Sequence, residues 1–241
     1  MGIKGLNVWI HSTFPGVMCT VNTRGSTPYD HVLFDLNGIV HQACRRKGNE
    51  KDVLKSVVSD LDALLRLFPA RRTVLVALDG PGPTAKLVEQ RRRRIDKVLK
   101  AARDAEAAIP GSREALRRAE IALMEGRELG QPKKKRKTFD SLQVTPGTTF
   151  MLRLRRCLEW WAASRLVGGA QQVLDPRAPK PLIFVSAADV PGEGEVKLLE
   201  HLHAVSRDAP PAAPPESFLL VGPDADLLLL GLASGQPRCA F

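Results

Sequence analysis

Acidic residues stand at or just beyond the end of each of four short apolar runs in this chain. The runs are rich in residues typical of β-strands, helical patterns separate them, and they are His31–Asp35, Thr73–Leu78, Leu182–Ser186 and Phe218–Val221. Strands that alternate with helices predict an α/β fold with a parallel sheet and helices on both faces. Ligands bind outside the carboxyl ends of such strands, so acidic side chains far apart in sequence are expected to converge there. The six carboxylates concerned are those of Asp35, Asp79, Glu193, Glu195, Asp224 and Asp226.

Six carboxylates in one cleft would repel one another unless some were protonated or hard cations neutralised them. Mg²⁺ or Mn²⁺ would do so at neutral pH, since carboxylate oxygens are ligands that these ions prefer. Any one of these residues taken alone is more often a helix cap or a turn residue. For the six together we favour a divalent-metal site. Two flanking glycines would let Glu193 lie in a loop and Glu195 in the first helical turn, so that both can face the same site.

The overall composition indicates an acidic pocket inside a basic surface. The 241 residues carry a formal net charge of +10, and 44% of them are hydrophobic, enough for a sizeable core. A basic surface gathers phosphates, so this arrangement suits a metal-dependent enzyme that acts on a polyanion. The four cysteines are widely separated and have no zinc-finger spacing, which favours reduced thiols and an intracellular location. The chain has no apolar run of the roughly 20 residues that a membrane span needs.

Residues from Pro83 to about Glu128 are rich in Ala, Arg, Glu and Leu, with a break at Ile109-Pro-Gly-Ser. This pattern predicts two charged helices that project from the sheet. A third helix, Thr148–Leu166, contains Trp160 and Trp161, and both are expected to pack it against the sheet. The chain shows neither an internal repeat nor a linker that would separate domains, so residues 1–241 are expected to form one domain.

The first of the projecting helices carries a basic face. Lys86, Gln90, Arg93 and Arg94 are spaced i, i+4, i+7 and i+8, which places them on one side of a helix. Such a set predicts a phosphate clamp, because the planar guanidinium pairs with two phosphate oxygens at once. The alternative is a solvated basic face, which is the usual role of an isolated arginine run.

Five sequence blocks carry a family resemblance, and they occur in the order Asp35–His41, Asp79–Lys86, Thr145–Met151, Val190–Glu195 and Asp224–Leu232. Together they resemble the N-terminal catalytic region of the Xrn-type 5′→3′ exoribonucleases, over nearly the whole chain. The opening Met1–Leu6 is also similar to flap endonucleases, which share the PIN-like fold and the metal chemistry of the Xrn family. Their blocks differ from Pro191–Glu195, so the Xrn family is the better match.

The resemblance implies a Mg²⁺-dependent enzyme that removes nucleotides from the 5′ end of single-stranded RNA. The six carboxylates would hold two ions, and the basic face Lys86, Gln90, Arg93 and Arg94 would grip a 5′-monophosphate. His41 would stack on the terminal base, although a histidine after a strand is more often a surface residue. The family pattern continues beyond Phe241 with another metal-binding aspartate and the stacking partner of His41, so the region is expected to be incomplete at this end.

Two other functions remain open from the sequence. The chain could be a catalytically weak or inactive paralogue that binds RNA 5′ ends, or a flap-type structure-specific endonuclease. Its basic run Pro132–Lys137 fits a nuclear localisation signal and predicts an import receptor as a partner. A nuclear enzyme of RNA degradation or mRNA decay is therefore favoured, with the cytoplasm possible, and a merely solvated or RNA-touching loop is the alternative.

Overall fold

A computed structural model describes residues 5–17, 28–82, 84–125, 138–167, 180–208 and 214–241 of the chain. The strands are β1 (Tyr29–Asp35), β2 (Ala70–Ala77), β3 (Leu182–Ser186), β4 (Phe218–Val221) and β5 (Cys239–Ala240). The helices are α1 (Leu6–Thr13), α2 (Asn37–Arg46), α3 (Glu50–Leu67), α4 (Thr84–Ala107), α5 (Arg113–Met124), α6 (Thr149–Val167), α7 (Gly194–Asp208) and α8 (Ala225–Ala233).

The strands form one parallel sheet in the order β3-β2-β1-β4-β5, which confirms the predicted fold class. Strand β1 lies at the centre and pairs with β2 on one side and with β4 on the other. After β3 the chain crosses back over the sheet to form β4, so the direction of winding reverses between β1 and β4. In open α/β sheets the crevice at such a reversal is the usual ligand site.

Alternate residues of the strands build two separate cores, one on each face of the sheet. Val32 and Phe34 of β1 pack on one face with residues of α2, α3 and α6, such as Val57 and Leu158. On the other face, Leu33 packs with residues of β2 and β4 and with Leu198, Leu202 and Leu227 of α7 and α8. Because side chains alternate along a strand, the residue two places after Leu33 belongs to the α7 and α8 face, and it is Asp35.

The sequence pattern missed three elements. Helix α2 begins two residues after β1, and its apolar residues Val40, Ala43 and Cys44 are buried, but they are too few to show a helical period by themselves. Strand β5 has two residues, and pairing with β4 at Phe218 and Leu219 defines it rather than any alternation of its own. Helix α8 carries four successive leucines, a run that does not distinguish a helix from a buried strand.

Contacts divide the chain into two units, Met1–Pro81 with Thr138–Phe241, and Gly82–Lys137. The second unit contains α4 and α5, the two charged helices that the sequence predicted. Oγ of Ser112 accepts a hydrogen bond of 3.1 Å from the N–H of Ala115 at the start of α5, and Arg118 of α5 donates to Asp104 of α4 over 2.9 Å. Whether residues 1–241 form one domain stays a prediction.

Two further sequence predictions meet different outcomes. None of the helices in the described ranges combines the length and the apolarity that a bilayer span requires. Trp161 packs inside the core as expected, but the side chain of Trp160 is 64% exposed, so that half of the prediction is wrong. Adjacent helical residues point in directions about 100° apart, and α6 can therefore bury only one of the two indoles.

A buried charge pair joins α3 to α6. Asp62, which is 4% exposed, accepts hydrogen bonds of 2.8 Å from Nε1 of Trp161 and 2.9 Å from Nε of Arg165, and Nη2 of Arg165 contacts its second oxygen. Removing a carboxylate from water is costly, and Asp62 can be buried because three donors satisfy its oxygens.

We expect Asp62→Ala to lower the free energy of unfolding by about 3–5 kcal/mol, because it leaves a guanidinium and an indole N–H buried without an acceptor. Urea titration followed by circular dichroism measures the change. The matched control is Asp60→Ala, which removes the more exposed ion pair with Arg46 and should cost less than about 1 kcal/mol. Equal losses in the two variants would contradict this view of the Asp62 contact.

Candidate metal centre

The candidate site begins with Asp35, the last residue of the central strand. Its side chain is 9% exposed. The chain passes very close to it in two places: a Cβ atom on Gly194 would lie 2.6 Å from Oδ1 of Asp35, and one on Gly222 would lie 3.2 Å from its Cβ. Glycine at both positions is what lets the start of α7 and the end of β4 approach the carboxylate.

Asp79 lies beside Asp35, two residues beyond the end of β2. Its Oδ1 accepts a hydrogen bond of 2.7 Å from the backbone N–H of Gly194, the first residue of α7. The positive end of the helix dipole and its unpaired N–H groups favour a carboxylate at this position. Two backbone bonds tie the loops together, from Gly80 N–H to Gly192 O over 2.8 Å and from Gly192 N–H to Pro81 O over 3.2 Å.

Three more carboxylates form a cluster. Oxygens of Glu195, Asp224 and Asp226 all lie within 4.8 Å of one another. Glu195 is in the first turn of α7, and Asp224 caps α8 by accepting a hydrogen bond of 3.3 Å from the N–H of Asp226. Strands β1 and β4 pair directly, with Phe34 opposite Val221, so Asp224 and Asp226, which follow β4, lie near the end of β1 and Asp35.

Glu193 and Glu195 take the positions that the sequence predicted for them. Glu193 lies in the loop, where its carbonyl oxygen accepts a hydrogen bond of 3.0 Å from Lys197 N–H, while Glu195 lies inside α7. Gly192, directly before Glu193 in the same loop, has a φ of +105°, which favours glycine. All six predicted carboxylates therefore follow the carboxyl ends of β1, β2, β3 and β4.

The electrostatics of the site show how closely the acids approach. The pKa of Asp35 is raised from its ordinary 3.8 to about 6, first by burial and then by the negative charges of Asp79 and Asp224, against the opposing hydrogen bond from Asn37 N–H. A proton is one way to relieve this repulsion, and a bound cation is another.

Lys197 is a residue of this site that the sequence analysis missed. Its side chain is 6% exposed, and Nζ donates to the carbonyl oxygens of Leu78 over 2.7 Å and Ala187 over 3.0 Å. Burial lowers its pKa, and attraction to Asp79, Asp189 and Glu200 opposes that shift. The ammonium thus links the ends of β2 and β3 beneath the acids. A lysine next to Leu198 on the apolar face of α7 is the sequence signal that could have revealed it.

The structure describes only some of the residues that were predicted to contact the RNA end. His41 lies half-buried on α2, and Asn37 of that helix accepts a hydrogen bond of 3.4 Å from Asp79 N–H. The basic face lies on α4, in the second unit, where Arg94 is exposed. The side chains of Lys86, Gln90 and Arg93 lie outside the described residues, as does the basic run 132–137.

The donor set fits hard divalent cations. The cluster offers only carboxylate oxygens, which Mg²⁺ and Mn²⁺ prefer, and no cysteine or histidine belongs to it in the part of the chain that the structure describes. Burial first and then the charges of Asp79 and Asp224 raise the pKa of Asp35, and such an ion would relieve the repulsion between these charges.

Comparisons with known proteins agree on one group. The family model described as XRN 5'-3' exonuclease N-terminus matches residues 1–241. The chain is 31% identical to 5'-3' exoribonuclease 2 of Candida glabrata and 30% identical to that of Saccharomyces cerevisiae, each over 99% of its length. It is 32% identical to the 5'-3' exoribonuclease 2 homolog of Drosophila melanogaster over 97% of its length. The chain spans about a quarter of these relatives, covering 24%, 25% and 24% of their lengths.

The raised pKa of Asp35 predicts how stability depends on pH. A folded-state pKa of about 6 against 3.8 means that the contribution of this proton is complete below pH 3.8 and is lost as the pH rises through 6. In chelator at pH 7.5, the free energy of unfolding of Asp35→Asn, measured by urea titration, should therefore exceed that of the wild type by about 3 kcal/mol. At pH 3.5 the difference should vanish.

Mg²⁺ at pH 7.5 should stabilise the wild type and remove most of that difference. Asp96→Asn, on the exposed face of α4, is the control and should have the same free energy of unfolding as the wild type at pH 7.5, both in chelator and in Mg²⁺. An Asp35→Asn variant that gains nothing in chelator would contradict the crowding of the acids.

Gly194→Ala tests the close approach between α7 and Asp35. A methyl group there would meet Oδ1 of Asp35 at 2.6 Å and Oδ1 of Asp79 at 3.5 Å, so the loop must move away from the acids. We expect a loss of about 1–3 kcal/mol in stability and weaker binding of Mn²⁺ in calorimetry. Gly111→Ala is the control for a loss of stability away from the acids: its φ of +76° disfavours alanine, although no atom lies within 4 Å of the added carbon. It should lower stability and leave Mn²⁺ binding unchanged.

Proposed function

Because the chain belongs to the XRN 5'-3' exonuclease N-terminus family, as its five sequence blocks predicted, we propose that it is the catalytic region of a metal-dependent 5′→3′ exoribonuclease. Its substrate would be single-stranded RNA with a 5′-monophosphate. One observation carries the proposal: carboxylates from four strand ends come together beside Gly194 and Gly222. The charges of Asp79 and Asp224 act on buried Asp35, and oxygens of Glu195, Asp224 and Asp226 lie within 4.8 Å of one another. So much negative charge in one place is unfavourable unless a bound cation neutralises it.

Two Mg²⁺ or Mn²⁺ ions would be held by Asp35, Asp79, Glu193, Glu195, Asp224 and Asp226. When bound, such a pair supplies an activated hydroxide and stabilises the leaving oxygen of a phosphodiester. The protein's own residues hold and orient these carboxylates. Gly194 N–H binds one oxygen of Asp79, which would leave the other oxygen for a cation.

Lys197 acts as a positioning residue in this proposal. Its two hydrogen bonds hold the ends of β2 and β3, which carry Asp79 and the loop to Glu193. It also brings a positive charge beneath the acids, which lowers the cost of collecting them before a metal binds.

Recognition of the RNA end is assigned to the basic face of α4 and to His41. Lys86, Gln90, Arg93 and Arg94 would bind the 5′-monophosphate, and the helical spacing of the four supports this. A pocket fitted to a single phosphate would exclude triphosphorylated or capped ends by size and charge. His41 would stack on the terminal base, a contact that does not depend on sequence. The basic run 132–137 would direct the protein to the nucleus, where it would take part in RNA degradation.

Hydrolysis of defined RNAs tests the proposal. A 30-nucleotide RNA labelled at its 3′ end should lose mononucleotides from a 5′-monophosphate end in Mg²⁺ and none in chelator. A 5′-triphosphate RNA should be resistant. Asp35→Asn and Asp224→Asn should slow release at least about 100-fold, more than the loss of a supporting contact outside the ligands costs. Asp60→Asn, a carboxylate of α3 that pairs with Arg46, should retain the wild-type rate.

Three outcomes would overturn the proposal. Turnover that persists in chelator would exclude the metal site. Binding of 5′-monophosphate RNA without cleavage would make the chain an RNA-end binder, and Lys86→Ala should then weaken that binding. Preferential cleavage of branched DNA would assign it to the flap endonucleases.

A further inference from the structure

A groove of about 810 Å³ runs between α3 and α6. Leu54 and Val58 of α3 form its half-buried floor, and Arg153, Cys157 and Trp160 line it from α6. The latter three are spaced i, i+4 and i+7, so they share one face of their helix. None of the proposed metal ligands lines this groove.

Two of the arginines along the groove already pair with carboxylates of the protein. Nη1 of Arg153 donates to both oxygens of Glu50 at 2.9 Å, and Arg165 binds Asp62 as described above. Both acidic residues of the lining are therefore already occupied by a guanidinium.

Three cations remain without an acidic partner. Lys51, Lys55 and Arg66 line the groove and are exposed, and no ion pair within the described part of the chain engages them. Helical rise places Lys55 about 6 Å beyond Lys51, and Arg66 about 16 Å beyond Lys55. The unpaired positive charge thus extends along a line of about 22 Å rather than around one point.

Trp160 adds an aromatic surface to this line. Its side chain is 64% exposed, whereas that of Trp161 is fully buried. An exposed indole beside unpaired cations offers a ring on which a base can stack next to groups that bind phosphate, a combination typical of single-strand binding surfaces.

We propose that the α3–α6 groove binds a single-stranded RNA segment at a site distinct from the metal centre. Sequence-independent binders of single strands combine a basic groove that follows the phosphates with aromatic rings on which bases stack, and this groove has both. Lys51, Lys55 and Arg66 contact phosphates, and a base stacks on Trp160. The inference rests on the proposed function in one respect, that the polyanion handled by this chain is RNA.

Binding measured without catalysis tests the groove separately from the nuclease. The probe is a 20-nucleotide RNA with a 5′-hydroxyl, followed by fluorescence anisotropy in chelator, so that neither the 5′-phosphate nor the metal contributes. Lys51→Gln/Lys55→Gln should weaken binding and lower the slope of log K against log salt by about 1.4, since each phosphate contact to a single strand contributes about 0.7. The matched control, Arg113→Gln/Arg117→Gln on the exposed surface of α5, removes the same charge and should retain the wild-type slope.

Trp160→Ala should weaken binding about tenfold at every salt concentration without changing the slope, because it removes stacking and no charge. Trp160→Phe should restore most of the affinity. RNA carrying 4-thiouridine should crosslink to peptides of α3 and α6 after irradiation.

Wild-type affinity and slope in both groove variants would overturn the inference, even if hydrolysis at the metal centre proceeds as proposed. A poly-glutamate peptide that binds the wild type more tightly than the RNA does, and that loses affinity in the same variants, would also overturn it and would indicate an acidic protein partner. Loss of hydrolysis in Asp35→Asn has no bearing on this test, because the binding assay contains no metal.

Discussion

Repulsion between carboxylates at the carboxyl edge of the sheet is the constraint on which the rest of the site depends. Asp35 is buried beside Asp79 and near Asp224, and its pKa rises to about 6 as a result. The protein offsets this cost with the N–H of Gly194, the dipole of α7 and the ammonium of Lys197. These contacts offset only part of the repulsion, so a bound cation would stabilise the fold further, and metal affinity and folding stability should be coupled here.

The central position of β1 makes this concentration of charge possible. Hydrophobic packing covers both faces of the strand, and pairing with β2 and β4 brings the ends of three strands within reach of one side chain. A carboxylate at the end of such a strand is held by the core rather than by its own contacts. The small residues Gly194 and Gly222 then decide how near α7 and β4 come to it. The core therefore fixes the position of Asp35, and the two glycines set the distance of α7 and β4 from it.

In the two proposed roles, the α3–α6 groove and the candidate metal centre would present charge to RNA in different ways. The candidate metal centre gathers acids around buried Asp35 and would rely on cations to bind the substrate phosphate. The groove presents Lys51, Lys55 and Arg66 directly to solvent beside an exposed indole. A contact of this second kind would hold the RNA chain between successive cleavages without interfering with the acids, since basic residues placed among them would compete with the metal ions for the same oxygens.

Strand period, strand-ending carboxylates and family blocks are local patterns, so the sequence alone predicts the parallel α/β sheet, the two charged helices and acids at the strand ends. It did not determine β5, the exposure of Trp160 or the role of Lys197. Strand β5 exists only through pairing with β4, and which of two adjacent indoles is buried depends on how α6 rotates against α3. Lys197 acts through carbonyls that lie 119 and 10 residues away. These features follow from the tertiary fold, because each depends on which surfaces meet, and a pattern along one chain does not contain that information.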